Sequence, residues 1–317
     1  MTVKRLKIAC AGLGRMGKRH ALNYLSRTPR AELVAVFTPD PREAAWARDN
    51  IGLFGVEVFA DYDEMLRYPG LEAVAIATVT AVHAEQAIKA INAGLHVFSE
   101  KPLSTSVEIS QSVVDAAKSK PYQKVLCGFS RRFDKSYRDA FTRLSTIGQP
   151  AVFRSQTCDK LDPLGFFVQY AEFSGGIFVD CSIHDIDLAL WFFWRRLHHL
   201  RKHNDVDNGV GIVEFWNDKI AYFYCSRMMA AGQHDMTEIV GPKGNGVRRE
   251  LPANYYERFE QAFVTMANEF TAACIDNKPL PFELDGAVKA LAISVALRES
   301  MNMGNKILFN EKGVRIN

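Results

Sequence analysis

Residues Cys10-Ala11-Gly12-Leu13-Gly14-Arg15-Met16-Gly17 follow a short apolar segment and open one with helical patterning. Few folds accept three glycines at this spacing between a strand and a helix. Gly12 permits a tight turn, Gly14 lets backbone approach a pyrophosphate, and Gly17 lets the helix pack closely on the strand. The helix starting at Arg15 and Met16 would turn N–H groups and the positive end of its dipole to the phosphates. A turn without a ligand is the competing reading of the glycines; the strand–turn–helix context favours a dinucleotide.

The segments around this motif alternate. Strand candidates are Lys7–Ala11, Leu33–Phe37, Val56–Ala60, Ala73–Thr78, His96–Ser99 and Val125–Phe129. They are short and apolar on both faces, as buried parallel strands are. Helix candidates Pro41–Asn50, Val82–Ala93 and Val107–Ser119 lie between them. This succession predicts an α/β fold whose first domain, residues 1–130, is a doubly wound Rossmann sheet.

After residue 130 the pattern changes. A helix (Asp134–Ile147) precedes a strand (Ala151–Cys158), and Gly175-Gly176 opens a long amphipathic run to Trp194. Strands Gly209–Phe215, Lys219–Ser226 and Met236–Gly241 follow one another, and helices Tyr255–Ile275 and Leu284–Met301 close the chain. Consecutive strands joined by turns predict a mainly antiparallel sheet in an α+β second domain, residues 131–317.

Composition narrows the setting. The 317 residues suffice for two domains, and 48% apolar with 24% charged is a globular profile. A net charge of +3 with no basic stripe argues against nucleic acid. No apolar run reaches the roughly 18–20 residues of a membrane span. The N-terminal stretch lacks a small-residue cleavage site, and none of the six cysteines forms a CxxC pair. Free thiols in a cytoplasmic protein are expected.

Three groups of residues carry the chemistry. The second strand ends Val36-Phe37-Thr38-Pro39-Asp40, with Thr38 where NAD sites place an acid about 20 residues past the glycines. Arg42 is near enough to pair with a 2′-phosphate, which tips the choice slightly towards NADP over NAD. Asp40 as a ribose ligand and Arg42 as a solvated charge remain open. Next, Glu100-Lys101-Pro102 follows the fifth strand, at the edge where such sheets bind cofactors. A desolvated Lys101 would have a lowered pKa and could share a proton with a hydroxyl; an exposed loop lysine is the plain alternative. Last, Asp180 and His184 are four apart, neighbours on one helical face. A carboxylate there could orient the histidine and stabilise its imidazolium. Acids at a favourable helix start, beside a satisfied histidine, explain the residues equally well.

Taken together, AGLGRMGKRH (Ala11–His20), ATVTAVH (Ala77–His83), GLHVFSEKPLS (Gly94–Ser104), GFSRRFD (Gly128–Asp134) and GGIFVDCSIHDIDLALW (Gly175–Trp191) resemble the Gfo/Idh/MocA family. They lie in family order over nearly the whole chain, and inositol 2-dehydrogenase-like members look most similar. The resemblance implies that Lys101 contacts nicotinamide and substrate, and that His184 of the Asp180/His184 pair is the acid/base. It implies cofactor contacts at Gly12, Gly14, Arg15, Met16, Gly17, Thr78, His83 and Glu100, and substrate contacts at Arg131 and Asp159. It also implies dimers or tetramers through an open face of the second sheet, which fits the apolar run Ile220–Tyr224; a core strand fits that run equally well. Family chemistry needs no metal, and His198, His199 and His203 read as an exposed basic loop. Departures from the family are Val79, where relatives often carry proline, and, more seriously, the abrupt Trp191–Asn204 segment with the short Lys243–Val247 join, which leave the substrate side in question.

These readings converge on an NAD(P)-dependent dehydrogenase or reductase acting on CH–OH or C=O of a small polyol, inositol or sugar-like molecule. The competitors are a dinucleotide-binding sensor without turnover and an imine or enone reductase.

Overall fold

The computed structural model describes residues 4–143, 155, 157, 174–193, 208–215, 219–226, 240–241, 244–245, 255–309 and 315–316. Six parallel strands form the first sheet: β1 Leu6–Ala11, β2 Ala31–Phe37, β3 Glu57–Phe59, β4 Ala73–Ile76, β5 His96–Ser99 and β6 Val125–Cys127. Their order, β3-β2-β1-β4-β5-β6, is that of a doubly wound dinucleotide-binding sheet. β4 and β6 stop two residues short of the sequence expectation, so Thr78 and Phe129 lie in the loops at the carboxyl edge.

Alternation along the strands fills both faces. Ile8 and Cys10 belong to one core cluster, Ala9 and Ala11 to the other. On the first face lie α1 (Arg15–Ser26) and α2 (Pro41–Asn50); on the second lie α4 (Thr80–Asn92) and α5 (Val107–Ser119), while α3 (Tyr62–Met65) is a single turn. α2 and α5 begin and end where the sequence predicts. Asp40 and Ser106 cap them, each side chain accepting a backbone N–H, and Pro41 needs no hydrogen bond at the first position.

The chain beyond residue 130 returns twice to this sheet. α9 (Tyr255–Asp276) buries Phe259, Phe263 and Phe270 in the α1 cluster, and α10 (Asp285–Met303) buries Ala287, Ala290 and Leu291 in the other. Between these returns, β7 (Asn208–Phe215) and β8 (Lys219–Ser226) pair antiparallel, as do the two-residue strands β9 (Val240–Gly241) and β10 (Gly244–Asn245). The strand expected at Ala151–Cys158 apart from Ser155 and Thr157, most of that at Met236–Gly241 and the end of the helix expected to Ile147 lie outside the described residues. α6 itself runs Lys135–Thr142, capped by Asp134. Among the described residues no helix is long and apolar enough to cross a membrane.

One expectation fails instructively. The run from Gly175-Gly176 is not one helix but two, α7 (Ile177–Asp180) and α8 (Ile183–Phe193). Continuing α7 would need the Asp180 carbonyl to accept the His184 N–H. That bond is not made, and the Asp180 carbonyl accepts from Lys101 Nζ at 2.7 Å.

α8 is moored by a buried ion pair: Arg132 Nε and Nη2 each donate to a carboxylate oxygen of Asp187 at 2.7 Å. Burial pushes the Asp187 carboxyl up, against the pull of Arg132. Asp187→Ala would strand the buried guanidinium and should cost about 3–5 kcal/mol in a urea unfolding measurement. A loss under about 1 kcal/mol would mean that solvent reaches the site.

Candidate active site

The glycine motif forms the loop between β1 and α1. Gly12 has φ +85°, and a Cβ there would meet the Ala77 carbonyl oxygen at 2.7 Å. A Cβ on Gly17 would overlap the Gly12 carbonyl oxygen at 1.9 Å. These two glycines are required by the protein's own packing. Gly14 differs: its added Cβ would meet only Glu43 Oε1, at 3.7 Å, so this side of the loop is open. Gly14 also caps α1 without a side-chain bond, and the first turn holds no acid. An open cradle beside uncapped helix N–H groups fits a pyrophosphate.

At the end of β2, Thr38 donates its hydroxyl hydrogen to Glu43 Oε2 at 2.5 Å, and the same oxygen accepts the Leu13 N–H at 3.2 Å. Arg42 is turned to Asp40, its Nη2 2.9 Å from the carboxylate. The arginine expected to meet a 2′-phosphate is thus paired with Asp40, and a carboxylate lies beside Thr38.

A cavity of about 410 Å³ opens at the carboxyl edge of the sheet, where Arg15, Met16, Thr78 and His83 meet Lys101 and His184. His83 braces its wall: Nδ1 lies 3.0 Å from the Pro102 carbonyl oxygen and Nε2 3.1 Å from that of Thr78. Glu100 points inward to His20 Nε2 at 2.7 Å, which with Lys101 holds its carboxyl below the ordinary value although burial opposes this.

Lys101 is largely buried, its Nζ also 3.1 Å from Asp180 Oδ1. Burial lowers its pKa, but Asp180, Tyr255 and Glu100 outweigh that, and the net shift is upward. The direction expected from desolvation alone is therefore reversed, and the group is held as an ammonium. The Asp180 carboxylate thus serves Lys101 rather than His184, because the break between α7 and α8 removes the shared helical face.

His184 has another partner. Its Nε2 lies 3.1 Å from the Tyr255 hydroxyl, which in turn lies 2.7 Å from Ser130 Oγ. Nδ1 is buried and finds no partner among the described residues. Burial, then the charges of Lys101 and Arg131, push the imidazole well below its usual pKa, so it is neutral at pH 7. Arg131, also on the cavity wall, donates to Asp185 Oδ1 at 2.5 Å and to Thr157 Oγ1 at 2.8 Å. Asp159 and the three histidines at 198, 199 and 203 lie outside the described residues.

Tyr255 and Glu43 escaped sequence reasoning. Tyr255 lies 71 residues from His184 at a helix start with no motif around it. Glu43 had a signal: an acid in the first turn of the helix after β2, beside a strand end that lacks one.

Comparison with known proteins decides the kinship. The family model described as an oxidoreductase family with an NAD-binding Rossmann fold matches residues 6–129, and its C-terminal domain model matches 142–246. The chain belongs to the Gfo/Idh/MocA oxidoreductase family. It is 30% identical to scyllo-inositol 2-dehydrogenase (NAD(+)) of Bacillus subtilis, over 97% of each chain. It is 31% identical to myo-inositol 2-dehydrogenase of Thermotoga maritima, over 75% of this chain and 74% of that one. The myo-inositol 2-dehydrogenase structure from Lactobacillus plantarum superposes with a TM-score of 0.73 at 29% identity, covering 95% of this chain and 98% of the other. For scyllo-inositol dehydrogenase from Lactobacillus casei with bound NAD(H) and scyllo-inositol, the TM-score is 0.71 at 26% identity, with the same coverage.

A histidine depressed by folding takes up its proton in the unfolded chain first, so its stability contribution is lost as pH falls below about 6.5. Wild type should lose stability relative to His184→Gln by up to about 1.4 kcal/mol per pH unit between pH 6.5 and 5. Parallel stability curves for the two proteins would show that His184 is solvated.

Proposed function

We propose that this oxidoreductase moves hydride between NAD and the CH–OH carbon of a small polyol of the inositol class. The observation that carries this is one cavity in which a charged Lys101 and a neutral His184 face each other across the carboxyl edge of the sheet. When bound, NAD supplies the hydride acceptor, nicotinamide C4.

The protein's residues handle the proton. In oxidation a neutral His184 accepts the hydroxyl hydrogen at Nε2, which exchanges its contact with the Tyr255 hydroxyl for one with the substrate oxygen. Lys101 donates a hydrogen bond to the same oxygen and stabilises the negative charge that develops there. Asp180 positions Lys101 by taking two of its hydrogen bonds, at the carbonyl and the carboxylate. Tyr255 and Ser130 hold the imidazole plane. Arg131, tied to Asp185, is the proposed substrate contact on the cavity wall, and Asp159 is proposed as a second. Closeness and alignment within the cavity supply much of the rate.

NAD is favoured over NADP because Asp40 occupies Arg42, and because the relative named above is described as NAD(+)-dependent. Residues 1–130 would bind the dinucleotide and residues 131–317 would supply the substrate wall, with α9 and α10 lent to the first unit's core. Self-association through the second unit's sheet belongs to the same reading, and sedimentation velocity would report it as a dimer or tetramer.

The decisive experiment is NAD reduction against a panel of inositols and sugars. Lys101→Ala and His184→Ala, both still folded, should each lower kcat/KM by roughly 10²–10⁴. Lys101→Ala at the wild-type rate would sink the mechanism. NADH binding without turnover on any polyol would point to a sensor instead.

A further inference from the structure

The end of β2 is where this fold ordinarily presents the acid that binds the adenosine ribose and repels a 2′-phosphate. In this chain that place is Thr38, which carries no charge. We propose that Glu43 is the cofactor-selecting carboxylate, delivered from the first turn of α2 instead of from the strand; this rests on the function proposed above.

Three observations meet at Glu43. Its Oε2 ties together the two structures that frame the ribose corner, accepting from Thr38 at the end of β2 and from Leu13 within the glycine loop. Its Oε1 makes no hydrogen bond among the described residues, and it lies 3.7 Å from where a Cβ on Gly14 would stand. The free oxygen therefore faces the open side of the loop that is shaped for a pyrophosphate. A ribose attached to that pyrophosphate brings its two hydroxyls to an acceptor already held in place.

The neighbouring charges sharpen the choice. Arg42 could have attracted a phosphate, but Asp40 accepts from both its backbone N–H and its guanidinium. Arg42 is thus engaged by Asp40, and Glu43 supplies a further negative charge at the corner. Ribose hydroxyls can donate to a carboxylate, whereas a 2′-phosphate offers no hydrogen at neutral pH and is repelled. Thr38 acts as a positioning residue, since its hydroxyl fixes one carboxylate oxygen and leaves the other outward.

The test separates charge from structure. Glu43→Gln keeps a carbonyl oxygen for the Thr38 hydroxyl and the Leu13 N–H, and replaces the outward charged acceptor with a neutral N–H donor. NADH and NADPH are titrated by fluorescence into wild type, Glu43→Gln and the double variant Thr38→Asp/Glu43→Gln, with thermal unfolding as the check on folding. Wild type should prefer NADH. Glu43→Gln should move the affinity ratio towards NADPH by roughly tenfold or more. The double variant returns a carboxylate to the end of β2 and should restore the preference for NADH. A folded Glu43→Gln protein with the wild-type ratio would overturn the assignment of Glu43 and leave the proposed function standing. Wild type that binds neither nucleotide would overturn both.

Discussion

Lys101 leaves the carboxyl end of β5 and crosses to the segment that begins the second unit, where its ammonium meets both the carbonyl and the carboxylate of Asp180. That carbonyl does not bond the His184 N–H: the helix ends at Asp180 and a new one starts at Ile183. The restart turns His184 away from Asp180 and towards Tyr255. One buried ammonium thus lines the cavity, meets the chain where the helix is interrupted and takes the carboxylate that helical spacing would have set beside the histidine. Removing water from the ammonium is costly, and the paired carboxylate and carbonyl offset that cost.

The same arrangement repeats along the junction. Arg131 and Arg132, just past β6, meet Asp185 and Asp187 on α8. Bases from the sheet edge face acids from one short stretch of the second unit, and each acid serves a different base. A shift of α8 by one residue would put His184 or Ile186 in the place of Asp185, and Ile186 or Leu188 in that of Asp187, and leave buried charges unpaired. That penalty gives the junction its register. It also keeps like charges near His184, since Lys101 and Arg131 both help to hold the imidazole neutral.

Local patterning was informative wherever the deciding interaction is short in range. Pro41 and Asp40 set the start of α2, Ser106 sets the start of α5, and both-face apolar strands announce a sheet covered twice. The glycines were legible for the same reason, because the Gly12 turn and the Gly17 contact with it involve neighbours in the chain. Reading failed where two signals competed. Helical periodicity placed Asp180 beside His184, and a lysine 79 residues away overrode it. Desolvation alone predicted a lowered Lys101 pKa, and a carboxylate brought in by the fold reversed the direction.

From the sequence follow the parallel sheet, the glycine loop at its edge, the family, and which residue types would gather in the crevice. Those conclusions rest on spacing, alternation and capping, which act over a few residues and need no knowledge of what packs on what. Tertiary structure decided which acid pairs with which base, that Tyr255 rather than Asp180 holds His184, and that Glu43 lies over the corner left uncharged by Thr38. Burial sets these pairings: once water is removed, each charge or hydrogen-bonding group needs a partner, and the partner comes from whichever element the fold has brought within reach.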